Sequence, residues 1–278
     1  VAEPMNRLIP LLVLAAITTS ASALEVTGRW IQGGFISGTV APGSTVRLGK
    51  APVLVAPDGR FAFGLAFDAA LATELTVVGP DGQQQRHEYS IEQRHYPESR
   101  INGLPQAMVS PPKAVLDRIA ADGQAVQAAR AKARTQADFK DFIWPIKGTR
   151  ISGEFGSKRV LNGVPRQPHF GVDIAAPQGT PIQAPAAGLV TLAAPDLYYT
   201  GQTVIIDHGL GITTTYLHLS KTQVKVGARV GQGQIIGEVG MTGRATGPHL
   251  CWRANWHEVR FDPSLLVDAE PAVTQPRR

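Results

Sequence analysis

Turn-forming residue pairs recur at short intervals in this chain and separate brief apolar segments. Pro42-Gly43, Asp58-Gly59 and Asp81-Gly82 each lie between runs of apolar and β-branched residues. This spacing leaves room for strands of roughly 4–8 residues but not for long helices. The 29 glycines and 21 prolines, against 18% charged residues, favour the same structure. We therefore expect a mainly β protein.

Residues 24–97 are predicted to form a small antiparallel sandwich. The segments Val53-Leu54-Val55 and Phe61-Ala62-Phe63 flank Pro57-Asp58-Gly59 and predict a hairpin. The region resembles bacterial immunoglobulin-like domains in its composition. Such a domain could serve as a spacer or could contact the cell wall.

The character of the sequence changes in the region 98–141, which is predicted to be a linker with a helix. Prolines open this region, and an alanine-rich stretch follows that carries Val115, Leu116, Ile119 and Val126 along one helical face. The helix is expected to pack on the C-terminal domain or to join the two domains. A helix that plugs a cleft is the regulatory alternative.

The region 142–268 is predicted to be a second β domain, of antiparallel sheet, and 269–278 a C-terminal tail. Three segments have the β-branched composition of strands and are separated by glycine turns. They are Val204-Ile205-Ile206, Thr213-Thr214-Thr215-Tyr216 and Ile235-Ile236.

The first 23 residues have the pattern of a secretory signal peptide. Met5-Asn6-Arg7 gives a basic start, Leu8 to Ile17 an apolar middle, and Ala21-Ser22-Ala23 the small residues before a cleavage site. The apolar run is shorter than the roughly 20 residues that a membrane span needs. We expect an exported protein, in the periplasm, that is not inserted in the membrane after cleavage.

The net charge of +5 and the pI of about 9.5 favour an anionic partner. Lysines and arginines are scattered, and no basic run is interleaved with aromatic residues as in many nucleic-acid-binding segments. An anionic cell-envelope polymer therefore explains the charge as well as nucleic acid does, and the signal pattern at 1–23 favours the envelope polymer.

Three short motifs in the C-terminal region carry side chains that bind metals. His169 and Asp173 are separated by three residues, and this pair could hold one divalent ion. In Tyr216-Leu217-His218-Leu219, strict alternation on a strand would place Tyr216 and His218 on the same face. The same period would place His249 and Cys251 side by side, with Leu250 in the core.

The order of these motifs resembles that of the lysostaphin-type, LytM-like zinc metalloendopeptidases. The pattern is His-x-x-x-Asp, then Tyr-x-His, then Thr-Gly-x-x-Thr-Gly-Pro-His-Leu-x, which begins here at Thr242. The resemblance extends over about 142–263. It includes Gly153-Glu154-Phe155-Gly156 before the first histidine and the glycine-rich 226–233 segment.

The resemblance implies a zinc-dependent endopeptidase that hydrolyses peptide cross-links of peptidoglycan, with the stem peptides as its partner. It implies one Zn²⁺ ion, with His169 and Asp173 in the first two ligand positions and Cys251 in the third. His218 and His249 match the two catalytic histidines, whose individual roles the resemblance leaves open. Tyr216 and His208 are expected to line the cleft, with a structural role as the alternative for His208.

Cys251 departs from the family pattern, which has histidine at the third ligand position. Cysteine binds zinc well, but its side chain is shorter than that of histidine, and a thiolate adds a second negative ligand beside Asp173. Three interpretations remain: a true ligand, a thiol beside a weak two-ligand site, or a buried cysteine in a domain that has lost catalysis.

Two other classes of function are alternatives to the peptidase. A degenerate LytM-like domain could bind the cell wall or activate a separate hydrolase, but such a domain is expected to lose several site residues together. A lipoyl- or biotinyl-like carrier domain needs a lysine at a hairpin tip, and none lies between Val226 and Gly240. The sequence makes no prediction of oligomeric state.

Overall fold

The structure is a computed structural model that describes residues 24–267. These residues form five β-sheets, two α-helices and two short 3-10 helices. The expectation of a mainly β protein is confirmed. The predicted signal peptide at 1–23 and the predicted tail at 269–278 lie outside the described residues.

Seven strands between residues 25 and 90 form two antiparallel sheets. They are β1 (Glu25–Gly28), β2 (Phe35–Thr39), β3 (Thr45–Leu48), β4 (Ala51–Val53), β5 (Arg60–Gly64), β6 (Ala72–Val78) and β7 (Gln84–Ser90). The strand order is β1-β2-β5 in one sheet and β4-β3-β6-β7 in the other. The immunoglobulin-like assignment of this region stays a prediction.

The turn predicted at Pro57-Asp58-Gly59 is present, but its flanking strands enter different sheets. Val55 makes a single antiparallel bridge to Phe61, whereas β4 pairs with β3 and β5 pairs with β2. A simple hairpin was therefore the wrong prediction. Gly59 has a φ of +90°, and a Cβ there would lie 2.0 Å from the Val40 carbonyl oxygen, so this turn requires glycine.

Fourteen further strands follow, and most of them build one central sheet. They are β8 (Glu98–Ile101), β9 (Ile151–Gly153), β10 (Lys158–Leu161), β11 (Val164–Pro165), β12 (Val172–Ala175), β13 (Pro181–Gln183), β14 (Gly188–Leu197), β15 (Gly201–Gly209), β16 (Ile212–Leu219), β17 (Lys221–Thr222), β18 (Arg229–Val230), β19 (Ile235–Glu238), β20 (His249–Trp256) and β21 (Val259–Phe261). The strands predicted at 204–206, 213–216 and 235–236 lie in β15, β16 and β19.

The central sheet has the strand order β18-β14-β15-β16-β20-β12-β9, with β21 paired to β20. Two smaller sheets have the orders β13-β19-β17 and β11-β10-β8. Every pairing in the central sheet is antiparallel, as expected from the sequence. This order places β16, β20 and β12 side by side, and these strands carry most of the predicted site residues.

The predicted linker contains a strand as well as helices. β8 pairs in parallel with β10, and α1 (Gln106–Val109), a 3-10 turn (Lys113–Val115) and α2 (Leu116–Ala131) follow. Val115, Ile119 and Val126 are half-buried, and α2 packs against β14. Leu116, predicted on the apolar face, is instead 46% exposed. Within residues 24–267, no helix is long and apolar enough to span a membrane.

One apolar core connects the N-terminal sheets with the central sheet. The Phe35 ring stacks on Phe261 at 5.5 Å between centroids and meets Phe142 edge-on at 6.0 Å. An ion pair of 2.9 Å joins Arg94 to the buried Asp262. These contacts pack the N-terminal sheets against the face of the central sheet that carries Phe261. The domain boundaries at 97 and 142 stay predictions.

Candidate metal centre

The pairing of β12 with β20 brings three chemically active side chains to one face of the central sheet. Asp173 lies directly opposite Cys251, and His249 lies opposite Ala175. Opposed residues in an antiparallel pair point to the same face. Leu250 and Ile174 point to the other face and are fully buried in the core.

His169, which precedes β12, completes a compact group of donor atoms. Its Nε2 lies 3.0 Å from Asp173 Oδ1 and 3.3 Å from Cys251 Sγ. The three donor atoms all lie within 4.8 Å of one another. Zinc bonds of about 2.0–2.3 Å would separate tetrahedral donors by roughly 3.3–3.7 Å, so the group has the size of a three-ligand zinc site.

The hydrogen bonding of this group leaves lone pairs facing each other. His169 Nδ1 donates to the Glu154 carbonyl oxygen at 3.3 Å, which leaves Nε2 with its lone pair. Asp173 Oδ1 is buried and has no hydrogen-bond donor. Two unprotonated acceptors held 3.0 Å apart repel each other unless a cation lies between them. The residues therefore fit a bound metal ion.

The protonation states favour metal binding at two of the three positions. Burial lowers the pKa of His169, so its imidazole is neutral at pH 7. Burial alone would raise the pKa of Asp173, but the positive charge of Arg159 acts against burial and helps to hold it well below its usual range. Arg159 Nη2 donates to Asp173 Oδ2 at 2.8 Å. The carboxylate is thus ionised before a metal arrives.

Cys251 differs because its thiol is protonated without a metal. Burial raises the pKa of the Cys251 thiol to about 12, and the neighbouring Asp173 charge acts in the same direction. The Arg253 guanidinium lies beside the sulfur and favours the thiolate form. Since zinc binds the thiolate, the metal must displace this proton.

Two glycines leave the space in which these side chains meet. A Cβ on Gly153 would lie 2.5 Å from Asp173 Oδ2, and a Cβ on Gly171 would lie 2.7 Å from the Trp252 carbonyl oxygen and 3.3 Å from Cys251 Sγ. Gly153 belongs to the Gly153-Glu154-Phe155-Gly156 motif. Its position opposite Asp173 gives a physical reason for glycine there.

His218 and His249 lie together at the edge of this group. Their ring centroids are 4.8 Å apart, and His249 Nε2 lies 3.8 Å from Asp173 Oδ1. Each Nδ1 donates to a backbone carbonyl at 2.8 Å, that of Thr242 for His218 and that of Gly247 for His249. Both rings therefore keep Nε2 free to accept a proton. Burial, followed by the nearby His249, lowers the pKa of His218 to about 3.

A β-bulge brings His218 to the site. After the Val204–Tyr216 pair, the β15–β16 register shifts, and Leu217 and His218 together face Thr203. His218 has a φ of +66°, which is uncommon outside glycine. Strict alternation along Tyr216-Leu217-His218 was therefore the wrong prediction.

Tyr216 and His208 do not line the cleft, contrary to the expectation from sequence. Both side chains are completely buried in the core. Thr214 Oγ1 lies 2.7 Å from Tyr216 Oη and 2.7 Å from His208 Nε2, and His208 Nδ1 lies 2.7 Å from the Ala187 carbonyl oxygen. Tyr216 pairs with Trp252, whose side chain faces away from Cys251. For His208, the structural alternative describes its position.

This position makes Tyr216→Phe a stability variant. Removing the hydroxyl leaves Thr214 with one partner fewer in the core, so the free energy of unfolding should fall by about 1–2 kcal/mol. Zinc content and kcat/KM should not change. Denaturant unfolding and metal analysis of the same preparation would check this, and a large loss of kcat/KM with unchanged stability would contradict the core assignment.

Two arginines at the site were not predicted. Arg253 follows Cys251 by two residues on β20, so the same two-residue period could have placed it on the site face. Arg159 lies on β10, and no local pattern relates it to Asp173. A cleft of about 310 Å³ opens beside the group, and its walls include His169, Asp173 and His249.

The part of the chain that holds this site matches a known family. A mainly β fold with a histidine, a carboxylate and a thiol converging beside two further histidines defines a metallopeptidase-like domain. Residues 167–263 match the model of peptidase family M23 and contain all five predicted metal and catalytic residues. This chain therefore contains a peptidase family M23 domain. The predicted resemblance is confirmed.

Three similar proteins place the match in context. The peptidoglycan DD-endopeptidase ShyA of Vibrio cholerae is 47% identical over 103 residues, which is 36% of this chain and 24% of that protein. The catalytic domain of the antimicrobial peptidase lysostaphin from Staphylococcus simulans is 33% identical, over 42% of this chain and 90% of that domain, with a TM-score of 0.38. A crystal structure described as a candidate peptidase M23 from Pseudomonas aeruginosa is 29% identical. It covers 87% of this chain and 96% of its own, with a TM-score of 0.63.

The matches to the curated relatives and to the Pseudomonas structure differ in how much of each protein they cover. The chain spans 30% and 24% of the length of two curated relatives that it matches. The match to the Pseudomonas structure instead covers 87% of this chain, so it extends beyond the M23 domain into the N-terminal half. Part of the chain before the M23 domain therefore also has a counterpart in a solved structure.

Proposed function

We propose that this chain is a zinc metalloendopeptidase that hydrolyses peptide cross-links of peptidoglycan. The observation that carries the proposal is the convergence of His169 Nε2, Asp173 Oδ1 and Cys251 Sγ within 4.8 Å, next to the free Nε2 atoms of two histidines. The family M23 domain supports a peptidase. The printed name of the Vibrio relative, a peptidoglycan DD-endopeptidase, supports the wall substrate. The signal pattern at 1–23 supports export to the periplasm.

His169, Asp173 and Cys251 would hold one zinc ion. When bound, zinc supplies a Lewis acid and makes a coordinated water more acidic. Asp173 and the Cys251 thiolate together carry two negative charges. Arg159 beside Asp173 and Arg253 beside Cys251 bring two positive charges to the same group. These arginines offset the extra negative charge that cysteine adds compared with a two-histidine, one-carboxylate site.

His218 and His249 provide the acid and base groups of the site. Because each Nδ1 proton is donated to a carbonyl, the neutral ring can only accept at Nε2. A ring that has accepted the proton of the attacking water then becomes a donor at Nε2. It can donate a hydrogen bond to the developing oxyanion or pass the proton to the leaving amine. The division of these roles between the two rings stays open.

Peptidoglycan digestion tests the proposal directly. The purified chain, loaded with one equivalent of zinc, is incubated with isolated sacculi, and the soluble fragments are analysed by mass spectrometry. We expect monomeric stem peptides to appear as the dimers decrease, and chelation to stop the reaction. Zinc-loaded protein that binds sacculi but releases no fragment would instead favour the degenerate wall-binding domain.

Zinc binding should release a proton from Cys251. At pH 7 and above, Asp173 is ionised and His169 neutral, so only the thiol must lose a proton. The chain should therefore release about one more proton per zinc than its Cys251→His variant. Titration calorimetry in two buffers of different ionisation enthalpy measures this number. Equal proton release by the two proteins would remove the thiol from the set of ligands.

A further inference from the structure

A second cavity, of about 380 Å³, adjoins the metal centre and is strongly basic. Among the described residues, no aspartate or glutamate lines it. We propose that this cavity, the arginine pocket, binds a carboxylate of the peptide substrate and selects acidic peptides. The proposal rests on the proposed peptidase function and assigns it a specificity site. Its charged lining residues are Arg159, Arg166, Arg244, Arg253 and Arg260.

Within the part of the chain that the structure describes, four of these five arginines have no carboxylate partner. Arg159 pairs with Asp173 at 2.8 Å. Among residues 24–267, the other four arginines form no ion pair within 4.0 Å. They are Arg166, Arg244, Arg253 and Arg260. The pocket therefore keeps most of its positive charge.

The hydrogen bonds found on two of these arginines go to neutral acceptors. Arg166 Nη2 donates to the Val109 carbonyl oxygen at 2.5 Å, and Arg244 Nη1 donates to the Met108 carbonyl oxygen at 3.1 Å. A carbonyl oxygen orients a guanidinium but does not neutralise it. The end of α1 thus positions two arginines along the pocket and leaves their charge for a ligand.

Two of the arginines pack against aromatic rings, and the positive charges of the pocket repel one another. The Arg244 guanidinium lies 4.4 Å from the centre of the Tyr199 ring, and Arg260 lies 4.7 Å from that of Phe170. Burial lowers the pKa of Arg244 and of Arg260, and the neighbouring Arg253 acts in the same direction on both. An anion in the pocket would relieve this repulsion, and the planar guanidinium matches a carboxylate with two parallel hydrogen bonds.

The position of the pocket relates it to the reaction. His169 and Arg159 line both the arginine pocket and the cleft beside the metal centre. A peptide whose scissile bond lies at the metal centre therefore places a nearby residue at the arginines. Peptidoglycan stem peptides that carry free carboxylates have the matching charge.

Binding to the metal-free chain tests the pocket without depending on hydrolysis. Two synthetic stem peptides are compared by titration calorimetry, one with free carboxylates and one with the same carboxylates amidated. We expect the free-carboxylate peptide to bind about 10- to 100-fold more tightly, because amidation removes the charge-assisted hydrogen bonds from the other peptide. In the double variant Arg166→Gln and Arg260→Gln, which alters two exposed arginines, this preference should disappear.

The matched control is the double variant Arg47→Gln and Arg86→Gln, which removes the same charge from exposed positions on β3 and β7. It should bind both peptides as the unmodified chain does. Equal loss in both double variants, or equal binding of the two peptides by the unmodified chain, would overturn the proposal. Competition by inorganic phosphate as strong as that by the acidic peptide would also overturn the proposal, because the pocket would then be a site for free anions. Peptide selectivity without wall hydrolysis would contradict the proposed peptidase and leave the pocket supported.

Discussion

The Cys251→Ala variant is expected to lose zinc and, with it, peptidase activity. Removing one of three protein ligands should weaken zinc binding by roughly 100-fold or more, since each ligand contributes about 3 kcal/mol in structural zinc sites. The remaining pair, His169 and Asp173, would form a weak two-ligand site. Competition with a chromophoric chelator measures the affinity, and fragment release from sacculi measures the activity.

Two controls separate ligation from folding. Cys251→His restores the usual family ligand, so it should bind zinc and keep or exceed the activity of the unmodified chain, because one negative charge is removed from the site. The unfolding of the metal-free Ala variant should stay within about 1–2 kcal/mol of the unmodified metal-free chain. Undiminished activity in Cys251→Ala would show that the sulfur is no ligand.

Replacing the catalytic histidines should give the opposite pattern, with zinc retained and turnover lost. His218→Ala and His249→Ala each remove a free Nε2 beside the metal centre. We expect kcat to fall by about 10²- to 10⁴-fold, the usual contribution of general acid–base catalysis. The double variant should lose little more than the worse single variant, because groups that act together are not additive.

His87→Ala is the matched control for these variants, since His87 lies on β7 in the N-terminal sheets. It should leave both zinc content and kcat unchanged. The pH dependence of kcat/KM, compared between each histidine variant and the unmodified chain, is a second measure of the acid–base role. A histidine variant that retains more than about one tenth of the activity would contradict an acid–base role for that ring.

The sequence predicted which side chains lie together better than how the backbone brings them together. His169, Asp173, His218, His249 and Cys251 converge as expected, because the motif order carries the family pattern and a two-residue period places His249 and Cys251 on one face. The mainly β fold also follows from the spacing of turns. Both features depend on local pattern, which the sequence shows directly.

The errors arise where the backbone departs from regular geometry. At Tyr216 and His218, one extra residue in β16 reverses the alternation, and nothing in Tyr216-Leu217-His218-Leu219 marks the bulge. Around Asp58-Gly59, the turn was visible, but the choice of partner strand depends on long-range packing. Such features follow from the tertiary structure and not from a local period.

The arginines could not be predicted for a related reason. Arg159, Arg166 and Arg244 come from separate segments of the chain and meet only in the folded protein. In the sequence they are part of a scattered positive charge. That charge was compatible with an anionic envelope polymer or with nucleic acid, and the structure gathers part of it next to the metal centre.

The proposed function depends most on the binding of one zinc ion by Cys251 together with His169 and Asp173. Zinc-edge X-ray absorption of the chain loaded with one equivalent of zinc tests this binding. We predict a single sulfur at about 2.3 Å, with nitrogen and oxygen ligands at about 2.0–2.2 Å, and loss of the sulfur signal in Cys251→His. A spectrum of the unmodified chain with nitrogen and oxygen ligands alone would contradict it.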